Sequence, residues 1–220
     1  MIAAIVPAHN EEGQIPSCLA ALRAAARCPR LGGEQTILVV VLDDCTDNTR
    51  SIAQRLGVTT IALNARNVGA ARVLGAQLAV AAGARWLAFT DADTQVAADW
   101  IAAQLALRSD AVCGTVAVGE WESYGDDMRR HCHIHGANFG VSARAYERAG
   151  GHSPLEGSEN VALVKALQAS RASIAWSAAP RVFASVRRLF RAPGGFGATM
   201  ARVAQENQQR RLEVVRRDPA

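Results

Sequence analysis

The amino-acid sequence predicts an α/β fold, a single domain in which a mostly parallel sheet is flanked by helices on both faces. Short apolar, β-branched runs alternate with segments of helical apolar spacing through residues 1–110, which is typical of parallel strands joined by helices. Polar clusters directly follow four of the apolar runs. With 220 residues, no internal repeat and no long linker, the chain has the size of one domain with a sizeable core.

Each element of the first half follows from its local pattern. The runs 2–6 and 36–42 are apolar, as expected for strands buried on both faces. Thr46 is expected to cap a helix that carries Asp47 in its first turn, where a negative charge is favourable. In chain order the predicted elements are strand 2–6, helix 15–27, strand 36–42, helix 47–56, strand 58–63, helix 68–82, strand 86–90 and helix 97–107.

The alternation becomes less regular after residue 110. A polar segment rich in charge and histidine, 120–135, follows the next predicted strand. Apolar spacing and the glycine pair 150–151 then predict short elements. These are strand 111–118, extended segment 136–142, helix 143–149, helix 158–170, strands 174–176 and 182–185, and a last helix 198–215.

Composition is that of a globular protein, with 50% hydrophobic and 20% charged residues. No apolar stretch reaches the roughly 20 residues needed to span a bilayer. Residues 1–6 lack a basic start and run into Pro7, so we expect a strand there and not a signal peptide. The five cysteines show no CxxC or disulfide-framework spacing, which fits a reducing compartment. The sequence therefore predicts a cytoplasmic protein.

Charge is concentrated at the C-terminal end. The chain carries +4 overall, but residues 181–220 hold nine arginines against three acidic residues, a net charge of +6. A basic segment can bind phosphate, anionic lipid or nucleic acid, or can be an ordinary solvated surface. No nucleic-acid-binding motif supports an RNA partner. The arginine- and glycine-rich stretch 187–197 is expected to close over an anionic ligand, or to contact a membrane surface or a second copy of the chain in a homodimer.

The Asp-x-Asp sequence Asp91-Ala92-Asp93 is the most informative feature for function. It follows the apolar run 86–89, and if the segment is extended its two carboxylates lie on the same side. Carboxylates at the end of a strand suit Mg²⁺ or Mn²⁺, which keep coordination positions open for phosphate oxygens. The alternative is a polar turn after a buried strand, for which Asp is also a common residue.

Three further polar clusters follow the first three strands, at 7–12, 43–47 and 64–72. Individually they can be explained as helix caps or turns. Because parallel strands end at one edge of a sheet, all four clusters are expected to share one crevice.

In these clusters the chain closely resembles the family 2 glycosyltransferases, nucleotide-sugar enzymes with the GT-A (Rossmann-like) fold. The resemblance covers about residues 2–170 and lies in four motifs that occur in the family's order. They are Ile5-Val6-Pro7-Ala8-His9-Asn10-Glu11-Glu12, Leu42-Asp43-Asp44-Cys45-Thr46-Asp47-Asn48-Thr49, Asn67-Val68-Gly69-Ala70-Ala71-Arg72 and Phe89-Thr90-Asp91-Ala92-Asp93. Downstream, Gly136-Ala137-Asn138-Phe139-Gly140-Val141 with Tyr146 and Gly150-Gly151 is similar to the family's acceptor-side segment.

The resemblance implies a transferase that moves a sugar from a UDP- or GDP-linked donor to a hydroxyl acceptor with Mg²⁺ or Mn²⁺. Residues 1–110 would hold the nucleotide, 111–195 the sugar and acceptor, and 196–220 form a helix and basic tail. Asp93 would bind the metal and Asp91 the metal or ribose, and Arg72 or Arg66 would meet the diphosphate. The implied nucleotide contacts further include Pro7, Ala8, His9, Glu11 and Asp43. Of these, Asp43 would accept a hydrogen bond from the base. The sugar or acceptor would meet Gly136, Ala137 and Asn138.

One position departs from the family pattern. Inverting members carry Glu-Asp at the start of the helix after the acceptor loop, and the Asp takes the acceptor's proton. Here the pair is Glu159-Asn160, and an amide cannot accept a proton at neutral pH. A substitute base, retaining chemistry or a binder without turnover would each explain this. The substitute bases considered are Glu159, which is expected to point to a different side of its helix from residue 160, and Glu156, His135 and His152.

Other functions remain as alternatives. A nucleotidyltransferase also uses Asp and a divalent metal, but usually begins with a glycine-rich phosphate loop that is missing after the first strand. A non-catalytic nucleotide-sugar binder is suggested by Asn160. The alternating histidines 131, 133 and 135 suggest Zn²⁺, although only Cys132 is adjacent as a further ligand. His152 is a further candidate ligand for the Asp93 cation.

Overall fold

The structure is a computed structural model that describes residues 1–118, 134–155 and 157–184. Eight strands form one sheet in the order β3-β2-β1-β4-β7-β6-β8-β5. The strands are β1 (Ile2–Ala8), β2 (Thr36–Asp43), β3 (Thr59–Leu63), β4 (Trp86–Phe89), β5 (Thr94–Val96), β6 (Ala111–Val118), β7 (Phe139–Ser142) and β8 (Ile174–Ala184). The helices are α1 (Ile15–Ala26), α2 (Thr49–Arg55), α3 (Val68–Ala81), α4 (Trp100–Ala106), α5 (Ala143–Arg148) and α6 (Glu159–Ala169).

The first four strands are parallel and end at one edge of the sheet. β1 pairs with β2 on one side and with β4 on the other, while β3 lies beyond β2. The strand order therefore reverses at β1: β2 and β3 are added on one side of it and β4 on the other. Ligands of open α/β sheets bind outside the carboxyl ends of strands at such a reversal. This confirms the predicted α/β architecture and places the crevice beyond Ala8 and Phe89.

The core consists of two apolar layers on opposite faces of the sheet. Alternate residues of β1 enter different layers, because strand side chains alternate between faces. Ile2, Ala4 and Val6 pack with α1 and α4 residues such as Leu19 and Ile101. Ala3 and Ile5 belong to the second layer, to which α3, α5 and α6 contribute.

The second half of the sheet is mixed. β7 is antiparallel to both β4 and β6, β5 is antiparallel to β8, and β6 runs parallel to β8. β5 was not predicted, since three residues are too few to establish a periodicity. The two strands predicted around Pro180 form the single strand β8. A register shift between Gly114 and Val116 of β6 accompanies Pro180, as expected for a residue that cannot donate a ladder hydrogen bond.

All eight strands belong to one sheet, so the described parts of the predicted nucleotide and acceptor halves share it. Among the described residues, no helix is long and apolar enough to span a membrane. The predicted helix 198–215, the basic stretch 187–197, Glu156 and residues 131–133 lie outside the described residues.

Candidate functional site

The loops after β1 and β2 are locked together by polar side chains. Asn10 Oδ1 accepts a hydrogen bond from the Thr46 amide at 2.8 Å, and the Glu12 amide donates to Asp47 Oδ2 at 3.0 Å. Glu12 in turn accepts from the Asn48 amide at 3.0 Å. The prediction that Thr46 caps the helix is wrong, because α2 begins only at Thr49 and the intervening residues bind the first loop. These side chains join the two loops that form one wall of the crevice.

Asp43 holds the third loop. Its carboxylate is 4% exposed and accepts from the amides of Ala65 at 2.8 Å, Arg66 at 2.9 Å and Asn67 at 2.7 Å. A nucleobase would have to compete with these three bonds for the same oxygens. In this structure Asp43 therefore positions the loop. The neighbouring carboxylate, Asp44, forms an ion pair with Arg66, whose side chain is 74% exposed.

Left-handed backbone marks the loops of the crevice. Asn10 (φ 52°), Asp44 (φ 50°) and Arg66 (φ 48°) follow β1, β2 and β3, and Ser158 (φ 61°) precedes α6. Such conformations cost non-glycine residues of order 1 kcal/mol or more and persist where the surroundings impose them. The same conformation occurs at Arg108 after α4 and at Arg171 after α6, so the backbone conformation alone does not identify a ligand site.

Asp91-Ala92-Asp93 forms a turn between β4 and β5, and the prediction of an extended segment is wrong. The Asp91 carbonyl accepts from the Thr94 amide at 3.2 Å and from its hydroxyl at 2.6 Å. Burial, and then the negative charges of Asp91, Asp93 and Glu11, raise the pKa of the Cys18 thiol. Glu11 follows β1, and Asp91 and Asp93 follow β4, so all three carboxylates belong to loops at the carboxyl edge of the sheet.

Arg72 joins the two sides of the crevice. Its guanidinium, only 3% exposed, donates from Nη2 to Asp91 Oδ1 at 2.6 Å and from Nη1 to Glu159 Oε1. Both terminal nitrogens thus donate to carboxylates, one buried and one half-buried, whereas Nε is buried without a hydrogen-bond partner among the described residues. The expectation that Arg72 meets a diphosphate is not what this structure shows, and Arg66 is the more accessible of the two arginines.

A chain of hydrogen bonds continues from Glu159 into the core. Asn160 Nδ2 donates to Glu159 Oε1, and Asn160 Oδ1 lies 3.1 Å from His152 Nε2. Tyr146 Oη accepts from the His152 amide at 3.0 Å and lies 3.3 Å from His152 Nδ1. The only assignment that satisfies every atom has the tyrosine hydroxyl donating to Nδ1 and a protonated Nε2 donating to Asn160. In this arrangement the imidazole of His152 is neutral, because one ring nitrogen accepts a hydrogen bond and the other donates one.

This chain corrects two expectations about a substitute base. Glu159 and Asn160 were expected on different sides of the helix, but their side chains are in contact at its first turn. His152 is buried, and burial followed by the charge of Arg72 lowers its pKa to about 3. At neutral pH it is an uncharged hydrogen-bond partner and a poor proton acceptor. The Tyr146–His152 contact had no signal in the sequence, because His152 lies in an irregular loop after α5 and has no periodic spacing to Tyr146.

The low pKa of His152 predicts a pH dependence of stability. As the pH falls below the ordinary value of 6.5, the unfolded chain binds a proton at this position that the folded protein does not bind until about pH 3. Stability from the neutral histidine is complete above pH 6.5 and decreases below it. Between pH 6.5 and 5 we expect a loss of about 2 kcal/mol. Urea unfolding of wild type and His152→Gln over this range checks it; equal pH slopes would contradict it.

The predicted acceptor residues are used inside the protein. Asn138 is fully buried, accepts from Trp100 Nε1 at 2.8 Å and donates to the carbonyls of Thr115 and Pro180. Ala137 is also buried. In this structure Asn138 joins three parts of the chain, and its contact with a sugar or acceptor stays a prediction of the sequence.

Gly136 is required by the Arg72 cluster. A Cβ atom built on Gly136 would lie 2.5 Å from Arg72 Nη2 and closer still to Asn160 Nδ2. Gly140 similarly faces Gln104 and Trp86. Gly136 was expected to meet the sugar or acceptor. In the structure both glycines admit protein side chains.

We expect Gly136→Ala to destabilise the protein by about 1–3 kcal/mol, because the added methyl group overpacks a polar cluster that cannot move without breaking its hydrogen bonds. Gly13→Ala is the matched control, since a Cβ there meets nothing within 4 Å. Thermal or urea unfolding measures both. Equal stabilities of the two variants would show that the side chains around Gly136 can move aside without a measurable loss of stability.

The donor atoms of Asp91 and Asp93 fit a hard divalent cation. Within the described ranges, no three His, Cys, Asp or Glu side chains are grouped to hold a metal ion by themselves. From the described residues an ion at this turn would therefore have two carboxylates, and phosphate and water would supply further ligands, as is common for Mg²⁺. His152 donates toward Asn160 and is not available as a further ligand.

A cavity of about 370 Å³ lies elsewhere, at the opposite edge of the sheet near the starts of β2 and β3. It is lined in part by Arg23, Arg27, Thr36 and Gly57. None of the converging carboxylates reaches it. Because the carboxylates follow the parallel strands at the carboxyl edge, where open α/β sheets bind ligands, we place the candidate site there.

This architecture is that of the GT-A glycosyltransferases of known structure. A mannosyltransferase from Pyrobaculum calidifontis in complex with GDP-Man and Mn²⁺ superimposes with a TM-score of 0.73 at 20% identity, covering 100% of this chain and 65% of that one. Residues 1–349 of S. aureus TarS in complex with UDP-GlcNAc give 0.68 at 18% identity, covering 86% and 59%. GalNAc-T7 with UDP, GalNAc and Mn²⁺ gives 0.65 at 16% identity, covering 85% and 44%.

The family is defined by sequence as well. Residues 3–154 match the model of glycosyl transferase family 2, and the chain belongs to that family. It spans about 60% of the length of the TarS 1–349 structures that it matches. None of the curated proteins compared with it matches.

Proposed function

We propose that the protein transfers a sugar from a nucleoside-diphosphate donor, UDP- or GDP-linked, to a hydroxyl acceptor with the help of Mg²⁺ or Mn²⁺. The observation that supports this best is the Arg72 bridge, which joins Asp91 at the end of β4 to Glu159 at the start of α6. Through this bridge the turn that would bind the cation lies close to the buried carboxylate of Glu159, which supports a reaction that combines bond breaking with proton removal. Family membership supports the same reaction class.

The residues divide the task by their chemistry. Asp91 and Asp93 would hold the cation, which on binding would neutralise charge on the departing diphosphate. The exposed guanidinium of Arg66 can donate bidentate hydrogen bonds to phosphate oxygens. Pro7, Ala8, His9 and Glu11 line the β1 end and would face the nucleoside. Asp43 supports this wall by fixing residues 65–67.

Ligand-dependent stabilisation tests the proposal. UDP, GDP and their sugars, each with Mn²⁺, Mg²⁺ or EDTA, are added to the protein and the unfolding temperature is recorded. A nucleotide present at 100 times its Kd should stabilise by about 2.7 kcal/mol, and the shift should require the metal. A panel in which no nucleotide shifts the transition, or in which EDTA changes nothing, would contradict a metal-assisted donor site.

A non-catalytic nucleotide-sugar binder is the second candidate, since Asn160 occupies the position of the family's usual base. It predicts the same nucleotide shift but no release of UDP or GDP from the sugar donor with any hydroxyl acceptor. Turnover by the wild-type protein would eliminate it. A cytoplasmic location, and contact of the basic C-terminal segment with a membrane or a second copy, stay predictions of the sequence.

A further inference from the structure

The two oxygens of the Glu159 carboxylate are in different environments. Oε1 accepts from both Arg72 Nη1 and Asn160 Nδ2. No hydrogen bond joins Oε2 to any described residue, although the side chain is only 6% exposed. The carboxylate is thus anchored through one oxygen, which leaves the other to accept a proton.

Asn160 is oriented to supply that anchor. Its carbonyl oxygen accepts a hydrogen bond from His152 Nε2. The imidazole ring of His152 is in turn oriented by the Tyr146 hydroxyl, which donates to Nδ1. An amide held at its oxygen must direct its NH₂ group to the other side, and Glu159 lies there. An aspartate at position 160 would instead place a carboxylate oxygen against Glu159 Oε1, and both of these oxygens are hydrogen-bond acceptors.

Resting on the proposed transfer reaction, we propose that Glu159 is its general base through Oε2 and that Asn160 is a positioning residue, which fixes Oε1 and is itself fixed by His152. Position 160 would then be adapted to a base one residue earlier in the chain. The guanidinium of Arg72 contacts both this base and Asp91, so the two carboxylates lie on either side of one side chain.

The step balances as an inverting displacement. The acceptor hydroxyl gives its proton to Glu159 Oε2, and its oxygen forms the new bond to the anomeric carbon. The bond from that carbon to the phosphate oxygen breaks, and its electron pair leaves on the nucleoside diphosphate. The proton on Glu159 is then released to water, which regenerates the carboxylate.

Glu159→Gln keeps the shape and the Oε1 acceptor of this side chain but cannot take a proton. We expect kcat to fall by about 10²–10⁴-fold, while the Kd of the nucleoside diphosphate with Mn²⁺ changes less than about threefold. Glu147→Gln, an exposed carboxamide substitution outside the site, is the control and should leave kcat unchanged. A Glu159→Gln enzyme within threefold of wild type overturns the assignment.

Asn160 is tested by two substitutions and a double-mutant cycle. Asn160→Ala removes the anchor and should lower kcat by about tenfold or more with little change in the KM for the donor. Asn160→Asp should lower kcat too; an increase would mean that position 160 is a vacated base site and would overturn the proposal. If Asn160 acts only through Glu159, then Asn160→Ala added to Glu159→Gln should cause no further loss. Losses that multiply would assign Asn160 an independent role.

The outcomes separate this inference from the proposed function. Wild-type turnover with an unaffected Glu159→Gln variant leaves the transfer reaction standing and removes the base. Absence of wild-type turnover with every UDP- and GDP-sugar and acceptor, despite nucleotide binding, overturns both. Measuring the anomeric configuration of the product adds a further check, because retention would contradict a displacement assisted by Glu159.

Discussion

Replacing Arg72 by methionine is expected to lower the free energy of unfolding by about 3–5 kcal/mol. The substitution keeps the apolar length of the side chain but removes the only cation that contacts Glu159 among the described residues. A buried carboxylate left without its partner bears the full cost of desolvation. Urea or thermal unfolding at neutral pH measures the change.

Two further variants test the reason for that loss. Arg85→Met also removes an arginine from an ion pair, with Glu34, but its side chain is 56% exposed, so about 0–1 kcal/mol is expected. Adding Glu159→Gln to Arg72→Met should recover part of the stability, because the orphaned charge is removed. Equal losses for Arg72→Met and Arg85→Met, or no recovery in the double variant, would show that the bridge is not the stabilising element.

The second large effect is expected at the turn between β4 and β5. Asp93→Ala should reduce kcat/KM for sugar transfer by about 10²–10⁴-fold. A divalent cation contributes several kcal/mol to stabilising the departing diphosphate, and each 1.4 kcal/mol is a factor of ten. The variant should lose the Mn²⁺-dependent part of nucleotide binding, whereas its folding should be little affected because Asp93 is only partly buried.

Asp99→Ala is the control for this variant. Asp99 pairs with Arg30 at 3.3 Å on the surface and belongs to none of the loops of the site. Its substitution should leave transfer and the metal requirement unchanged. Full activity and an intact Mn²⁺ requirement in Asp93→Ala would remove this carboxylate from the cation site.

The sequence predicted those parts of the site that follow from parallel strands ending at one edge. Periodicity located β1 to β4, and their common direction brought the residues after Ala8, Asp43, Leu63 and Phe89 together. The same reasoning assigned Asp91 and Asp93 to the crevice. It failed for the conformation of that turn, because the short strand β5 leaves no periodic signal.

The partners of individual side chains could not be read from the sequence. Arg72, Asp43 and Asn138 were all expected to face a ligand, yet each is buried and bound to other parts of the chain. The hydrogen-bond partners lie far away along the chain: the separation is 87 positions for Arg72, 22 for Asp43 and 42 for Asn138. A polar residue near a ligand and a polar residue that supports the ligand's pocket have the same composition and spacing. Only the fold distinguishes them.

A crystal structure with a nucleoside diphosphate and Mn²⁺ would locate the cation and the donor. We expect an anomalous manganese peak within coordination distance of carboxylate oxygens of Asp91 or Asp93, with the diphosphate beside Arg66. Manganese and nucleotide bound elsewhere, for example in the cavity beside Arg23 and Arg27, would contradict it.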